Sequence, residues 1–469
     1  MLTARVLKVR GRARAARSLL AALAAAACTF SREVRVLPHQ LETPGPEAVT
    51  ALNAGEQLER GFVPEVLAFL AGPGARSLAP ESALWLLGRA RLEAGDFAGA
   101  EAALNRLVAR ESRAPARAGA LWLLSQAAYW RDDFGEAARF ALATREAGRP
   151  VPEGWIAFLR SGGSRRLYAG AAPGTRTPAL PLRFGTPDLP QVQVRVNDQA
   201  AGELILDSGA SLSLLTESVA RQLGVEPVAE AITAFRGLHE EEVTMRLGWA
   251  RSVSVGGLTL TDVPFGILPD GTLTFESTGP VPFAPPGVLG AHLMKEFDWR
   301  FEFGDGRVQA IRVETASTRG ESRQNLFFRR MKPMLRVSFN GRPWSFFLLD
   351  TGSEATMVTP SGLEANRFRG AEASAPITLE GIGQRRVSWA KVSDVRIGSG
   401  RWMVWFRDLV VNEGGEGVGD GIVGMSFLAL FDVDLRFSSM TLGLEKARAR
   451  RGRDPAYALP PESVIEPRS

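Results

Sequence analysis

The chain has a single cysteine, Cys28, in 469 residues. No intramolecular disulfide can form, and no cysteine-based zinc or iron–sulfur site can be built. Its three histidines, His39, His239 and His292, are too scattered to suggest a metal cluster. The apolar run Leu19–Ala27 is too short to span a bilayer, which excludes a permanent transmembrane helix there. A large excess of one charge is also missing, since Lys+Arg 56 against Asp+Glu 51 leaves only +5. With 45% hydrophobic and 23% charged residues, the chain is neither a disordered tail nor a membrane bundle. Its length suits about three domains.

The net positive charge traces to one end. Residues 1–18 carry Arg5, Lys8, Arg10, Arg12, Arg14 and Arg17 with no acid, and the apolar run and Cys28 follow. A basic region, a short apolar region and small residues before a cleavage point are the parts of a secretory signal, here residues 1–27. Those six positive charges exceed the whole net charge, so the basic balance is mostly an export address and no nucleic-acid partner is expected. Ala25-Ala26-Ala27-Cys28 resembles the lipobox of bacterial lipoproteins, with Ala where Leu is usual. The resemblance implies lipidation of Cys28 and a place on the periplasmic face of a bacterial membrane. Plain secretion and an Arg/Ala-rich extension of a cytoplasmic protein remain open alternatives.

After a linker at 28–44, residues 45–160 are rich in Ala, Leu, Glu and Arg at helical spacing. Ala83-Leu84-Trp85-Leu86-Leu87 recurs as Ala120-Leu121-Trp122-Leu123-Leu124, and Asp96-Phe97 recurs as Asp133-Phe134 at the same interval. Leu87-Gly88, Gly95, Phe97 and Ala100 fall at the offsets of a tetratricopeptide repeat, which this region resembles. The second unit departs from that pattern, with Ser125 for the Gly and Asp132 at the turn. The resemblance implies a small solenoid able to hold a protein partner; the alternative is an Ala-rich bundle with no binding role. Trp85 and Trp122 are expected between helices. Residues 161–180, short on apolar side chains and full of breakers, form a second linker.

The remainder is a duplication. Leu204-Ile205-Leu206-Asp207-Ser208-Gly209 and Phe347-Leu348-Leu349-Asp350-Thr351-Gly352 each end an apolar strand with a carboxylate, a hydroxyl and a glycine. Asn197 and Asn340 lie ten positions before each Asp, in turns after alternating strands. Farther on, Gly287-Val288-Leu289-Gly290 matches Gly421-Ile422-Val423-Gly424, and Phe297-Asp298 matches Phe431-Asp432. Matched offsets in the same order imply two homologous β lobes, at 181–315 and 316–445, ahead of a tail at 446–469.

This pattern resembles the aspartic peptidases of the pepsin and retropepsin clan, over 181–445. The fold class implied is multidomain α + β, with helical repeats followed by an all-β double-lobed protease fold. Carried over residue by residue, the resemblance makes Asp207 and Asp350 the catalytic pair. Ser208 and Thr351 become the hydroxyls bonding across the lobe interface, and Gly209 and Gly352 the residues that let each loop turn tightly. It also implies hairpin flaps around Gly237, Leu238 and His239 and around Gly381, Ile382 and Gly383. The only tyrosines are Tyr129, Tyr168 and Tyr457, so no flap tyrosine exists, and with no disulfide the likeness moves toward bacterial retropepsin-like proteins with both lobes in one chain.

The chemistry of such a pair can be stated directly. Peptide hydrolysis without a metal or a nucleophilic side chain needs a water that is deprotonated as it attacks and a proton donor for the carbonyl oxygen. Two carboxylates a hydrogen bond apart cannot both ionise, so they supply base and acid together, and no cofactor or metal is called for. The expected activity is aspartic endopeptidase on a peptide or protein substrate. The alternatives are a peptide-binding module that cleaves poorly and a scaffold whose function rests on the repeats. Trp249 and Trp389 are expected in lobe cores, Asp298 and Asp432 in structural roles, Gly414–Gly421 as a surface turn, and the cluster from Lys446 to Arg453 as a solvated tail.

Overall fold

A computed structural model describes residues 34–39, 48–111, 113–184, 188–236, 242–274, 283–313, 324–366, 368, 372–373, 377–379, 385–387, 390–412 and 419–447. Its first part is helical: α1 (Ala54–Glu59), α2 (Val63–Ala71), α3 (Pro80–Glu93), α4 (Phe97–Arg110), α5 (Ala114–Trp130), α6 (Phe134–Glu146) and α7 (Glu153–Gly162). The repeated Asp-Phe pairs have a local cause. Asp96 and Asp133 cap α4 and α6, accepting from the N–H groups of Gly99 at 2.9 Å and Glu136 at 3.0 Å. Each cap satisfies a donor that the first helical turn leaves unpaired. The phenylalanines that follow, Phe97 and Phe134, are buried. Gly88 allows α3 to lie on α4, because a Cβ there would come within 2.5 Å of Leu104 Cγ. Trp85 and Trp122 are half-buried instead of enclosed; Trp85 rests against Gly119 of α5, and Arg149 lies over the Trp122 ring.

The rest of the chain is mainly strands. Among the described residues, one nine-stranded sheet draws on residues 169–290, and eight strands of a second come from residues 326–423. The second is extended by the strand Val34–Pro38, which pairs antiparallel with Trp402–Phe406. A five-stranded sheet joins the lobes, with Phe297–Glu302 of the first running antiparallel to Phe431–Arg436 of the second. Residues 161–180 are drawn into this body: Ala169–Gly170 pairs with Leu260–Thr261, Leu180–Pro181 pairs with Arg307–Val308, and Tyr168 is fully buried. Breakers set the turns there, while the edges of two sheets supply partners for the strands between them.

The matched asparagines form tight hairpin turns. Asn197 and Asp198 have φ of 50° and 64°, and Asn340 and Gly341 have 49° and 73°, a left-handed pair suited to two-residue hairpins. Each Asn side chain also accepts a bond from a neighbouring strand, Asn197 Oδ1 from Ser252 N at 3.1 Å and Asn340 Oδ1 from Arg396 N at 2.6 Å.

The helices pack against both lobes. Leu58, Val63 and Val66 of α1 and α2 share a core with Phe327, Met334, Phe346 and Leu348 of the second lobe. Farther along, Phe134 and Phe158 lie against Trp249 of the first lobe, whose Nε1 donates to Ser161 Oγ at 2.9 Å. A polar contact completes the junction. Lys295 Nζ reaches both carboxylate oxygens of Asp132, at 2.8 and 2.9 Å, and also pairs with Glu296, which Arg312 holds from the other side. Asp132 is the residue at which the second helical unit departs from the repeat pattern, and this bridge to the first lobe accounts for it. His292 donates from Nε2 to the Tyr129 carbonyl at 3.0 Å and accepts the Tyr168 hydroxyl at Nδ1 at 2.7 Å. Burial keeps this imidazole neutral, far below its usual range.

Candidate active site

The two Asp-bearing loops meet where the lobes touch. In the first lobe the strand Gln199–Asp207 runs parallel to Gly287–Gly290, with Leu206 beside Leu289 and Asp207 beside Gly290. In the second lobe Arg342–Leu349 runs parallel to Gly421–Val423, with Leu349 beside Val423. Each apolar strand is thus buried between neighbours and delivers its Asp at the point where pairing stops.

Ser208 and Thr351 cross between the loops. The Thr351 hydroxyl donates to the Leu206 carbonyl at 2.6 Å and accepts from Ser208 N at 3.0 Å. In return the Ser208 hydroxyl donates to the Leu349 carbonyl at 2.8 Å and accepts from Thr351 N at 3.1 Å. Both residues are buried, so these bonds close off four backbone groups that would otherwise be stranded.

The glycines bring the carboxylates together. A methyl group on Gly209 would lie 2.3 Å from Asp350 Cγ, and one on Gly352 would lie 2.3 Å from Asp207 Cγ, so each carboxylate occupies the space beside the opposite loop. Asp207 Oδ1 accepts from Gly209 N and Ala210 N, both at 2.9 Å, and Asp350 Oδ1 accepts from Gly352 N at 2.9 Å. Burial raises both carboxylates above the usual range. For Asp350 the charge of Asp207 adds to this, pushing it up to about 8, while the backbone donors and Lys332 pull both down. Two raised acids this close titrate as a unit, and ionising the second beside the first is disfavoured.

A second hydroxyl in each lobe escapes a reading of the motif alone. Ser213 Oγ accepts from Gly290 N and Thr356 Oγ1 from Gly424 N, both at 3.1 Å. They stand six residues after their respective Asp, and aligning Asp207–Ser213 with Asp350–Thr356 reveals the match. These bonds fix the glycine segment against the loop it supports. Neither glycine tolerates a side chain, since a Cβ would fall 2.4 Å from Leu212 C or 2.3 Å from Ala355 O.

Gly237, Leu238, His239, Gly381, Ile382, Gly383, Trp389 and Cys28 lie outside the described residues, as does most of Gly414–Gly421. Asp298 accepts from the backbone and hydroxyl of Ser438, away from the pair, whereas Asp432 is raised by burial and leaves Oδ1 without a hydrogen-bond partner.

Residues 192–292 and 335–427 match the family described as aspartyl protease, the two segments together making up less than half of the chain. The match supports an aspartic peptidase. No curated protein matches the chain. Solved structures similar to it include an aspartic proteinase from Irpex lacteus, 15% identical over 59% of this chain and 98% of that one, with a TM-score of 0.34. Another is a retropepsin-like aspartic protease from Rickettsia conorii, 16% identical over 29% of this chain and 90% of that one, with a TM-score of 0.20.

Proposed function

We propose that the chain is an aspartic endopeptidase acting through Asp207 and Asp350. The observation that carries this reading is the seating of each carboxylate against the opposite loop's glycine, which forces two acids to share one site. A pure binding module has no chemical need for that repulsion. With one proton on the pair, the ionised carboxylate takes a proton from a water as its oxygen attacks the scissile carbonyl carbon. The protonated partner gives its proton to the carbonyl oxygen. Collapse of the resulting diol breaks the C–N bond as a proton passes to the leaving nitrogen, and the pair returns with one proton. Asp207 and Asp350 exchange roles within this cycle, so neither is assigned as the permanent acid.

The test is cleavage of a peptide library by the parent chain and by Asp207→Asn and Asp350→Asn, read by mass spectrometry with circular dichroism as a control for folding. Each single substitution should abolish cleavage in a folded protein. Cleavage surviving in either would remove the mechanism. The basic and apolar residues before Cys28 further support export, with Cys28 as the lipid-bearing residue. Mass spectrometry of the mature N-terminus tests this, and an intact residue 1 would overturn it.

A further inference from the structure

The hairpin that opens the second lobe carries a charge that its counterpart in the first lobe lacks. Strand Leu326–Arg329 turns through Arg330 and Met331, at φ of 49° and 63°, into Lys332–Phe339. The latter pairs with Arg342–Leu349 in a register that sets Met334 opposite Leu348. Continuing this register two residues past its last pair on each strand brings Lys332 level with Asp350. In the first lobe Gln191 is opposite Ile205, so the same count brings Leu189 opposite Asp207. A proline follows in both copies, Pro190 and Pro333. Leu189 is buried, at 2% exposure, whereas Lys332 is half-buried. The fold therefore accepts an apolar residue at this position, and the lysine is not there to make the hairpin.

We propose that Lys332 is a specificity residue, pairing with a carboxylate of the peptide that lies across Asp207 and Asp350. The proposal rests on the peptidase reading and names the substrate class for that site. Among the described residues, Lys332 has no carboxylate within ion-pair distance. Arg329, its partner across the hairpin, is already committed to Glu93, at 2.8 Å. The charge of Lys332 lowers both Asp207 and Asp350, in keeping with the place that the continued register gives it. A bound peptide would displace the water around this ammonium, and burying an unpaired charge is unfavourable. A substrate carboxylate supplies the missing partner. It comes either from an Asp or Glu side chain near the scissile bond or from the C-terminus of the peptide.

The experiment compares peptides of one core sequence with Glu or Gln at each position flanking the scissile bond, each with a free or an amidated C-terminus. The parent chain should favour one carboxylate form by at least tenfold in kcat/KM. Side-chain and terminal arms tell the two sources apart. Lys332→Met should reduce that ratio to near one, and Lys332→Arg should restore most of it. Equal cleavage of acid and amide by the parent, or an equal loss for every peptide in Lys332→Met, would overturn the proposal. If no peptide is cleaved, the peptidase reading fails separately, and anisotropy of the same labelled peptides on the Asp207→Asn protein decides the proposal. A carboxylate preference lost in the Asp207→Asn, Lys332→Met double variant supports it; equal binding of acid and amide sinks it.

Discussion

Ser208 and Thr351 hold each other's lobes: each hydroxyl donates to the carbonyl preceding the other lobe's Asp and accepts the other residue's N–H. The bonds are buried and cross between chain segments 143 residues apart. Replacing Thr351 with Val keeps the shape and removes the oxygen. Ser208 N and the Leu206 carbonyl then lose their partner, and unfolding free energy should drop by about 1–3 kcal/mol. Urea titration of the two proteins measures this; an unchanged midpoint would show that the crossing bonds contribute nothing to lobe association.

Gly209→Ala asks a different question. The added Cβ would meet the Asp350 carboxylate at 2.3 Å, so Asp350 must move. Overpacking of this kind costs about 1–3 kcal/mol in stability. The effect on rate should be larger, roughly a hundredfold in kcat/KM, because a displacement near 1 Å disrupts the shared proton and the seat of the water. Parallel unfolding and peptide-cleavage assays separate the two effects, and a rate loss no greater than the stability change predicts would count against a preorganised pair.

The carboxylates also set a pH dependence. Both titrate higher in the folded chain, Asp350 near 8, chiefly through burial and then through the charge of Asp207. Unfolded aspartates titrate near about 4, so between these values the folded chain holds more protons. Its stability contribution from the pair is therefore full below the unfolded value and falls as pH rises toward 8. Melting temperature should fall over that interval in the parent, and Asp350→Asn should flatten the slope. Parallel slopes in the two proteins would assign the dependence to other groups.

Lys295 joins the helices to the first lobe through Asp132, with Glu296 on its other side. Lys295→Met takes from Asp132 the ammonium that bonds both its oxygens and leaves Glu296 to Arg312 alone, and a loss of about 3–5 kcal/mol is expected. Lys295→Arg should lose less. Guanidinium titration gives the difference, and a Met variant as stable as the parent would show that the acids find other partners.

The duplicated motif was readable because its constraints are local or periodic. Asn197 and Asn340 sit in two-residue turns, and Asp207 and Asp350 end apolar strands, patterns that each stretch displays on its own. The junctions were not readable. Lys295 meets Asp132 across 163 positions, and His292 meets Tyr168 across 124. No spacing rule links such residues, and a lone buried histidine looks in sequence like any other. Lys332 is not legible for another reason: its place follows only from continuing the strand register past Met334–Leu348, and only the two lobes laid side by side make Leu189 its counterpart.

The pairing of Val34–Pro38 with Trp402–Phe406 also covers one edge of the second lobe's sheet. His39, just after that strand, donates from Nδ1 to the Gly400 carbonyl, 361 positions away. Strand Trp402–Val411 is apolar along much of its length, and during synthesis its outer edge has no cover until the beginning of the chain returns to it. Contacts this remote in sequence form late, and an open apolar edge is a template for pairing with another molecule. The strand Val34–Pro38 thus works as a seam over that edge, and a chain in which it is undocked leaves an apolar edge open to another molecule.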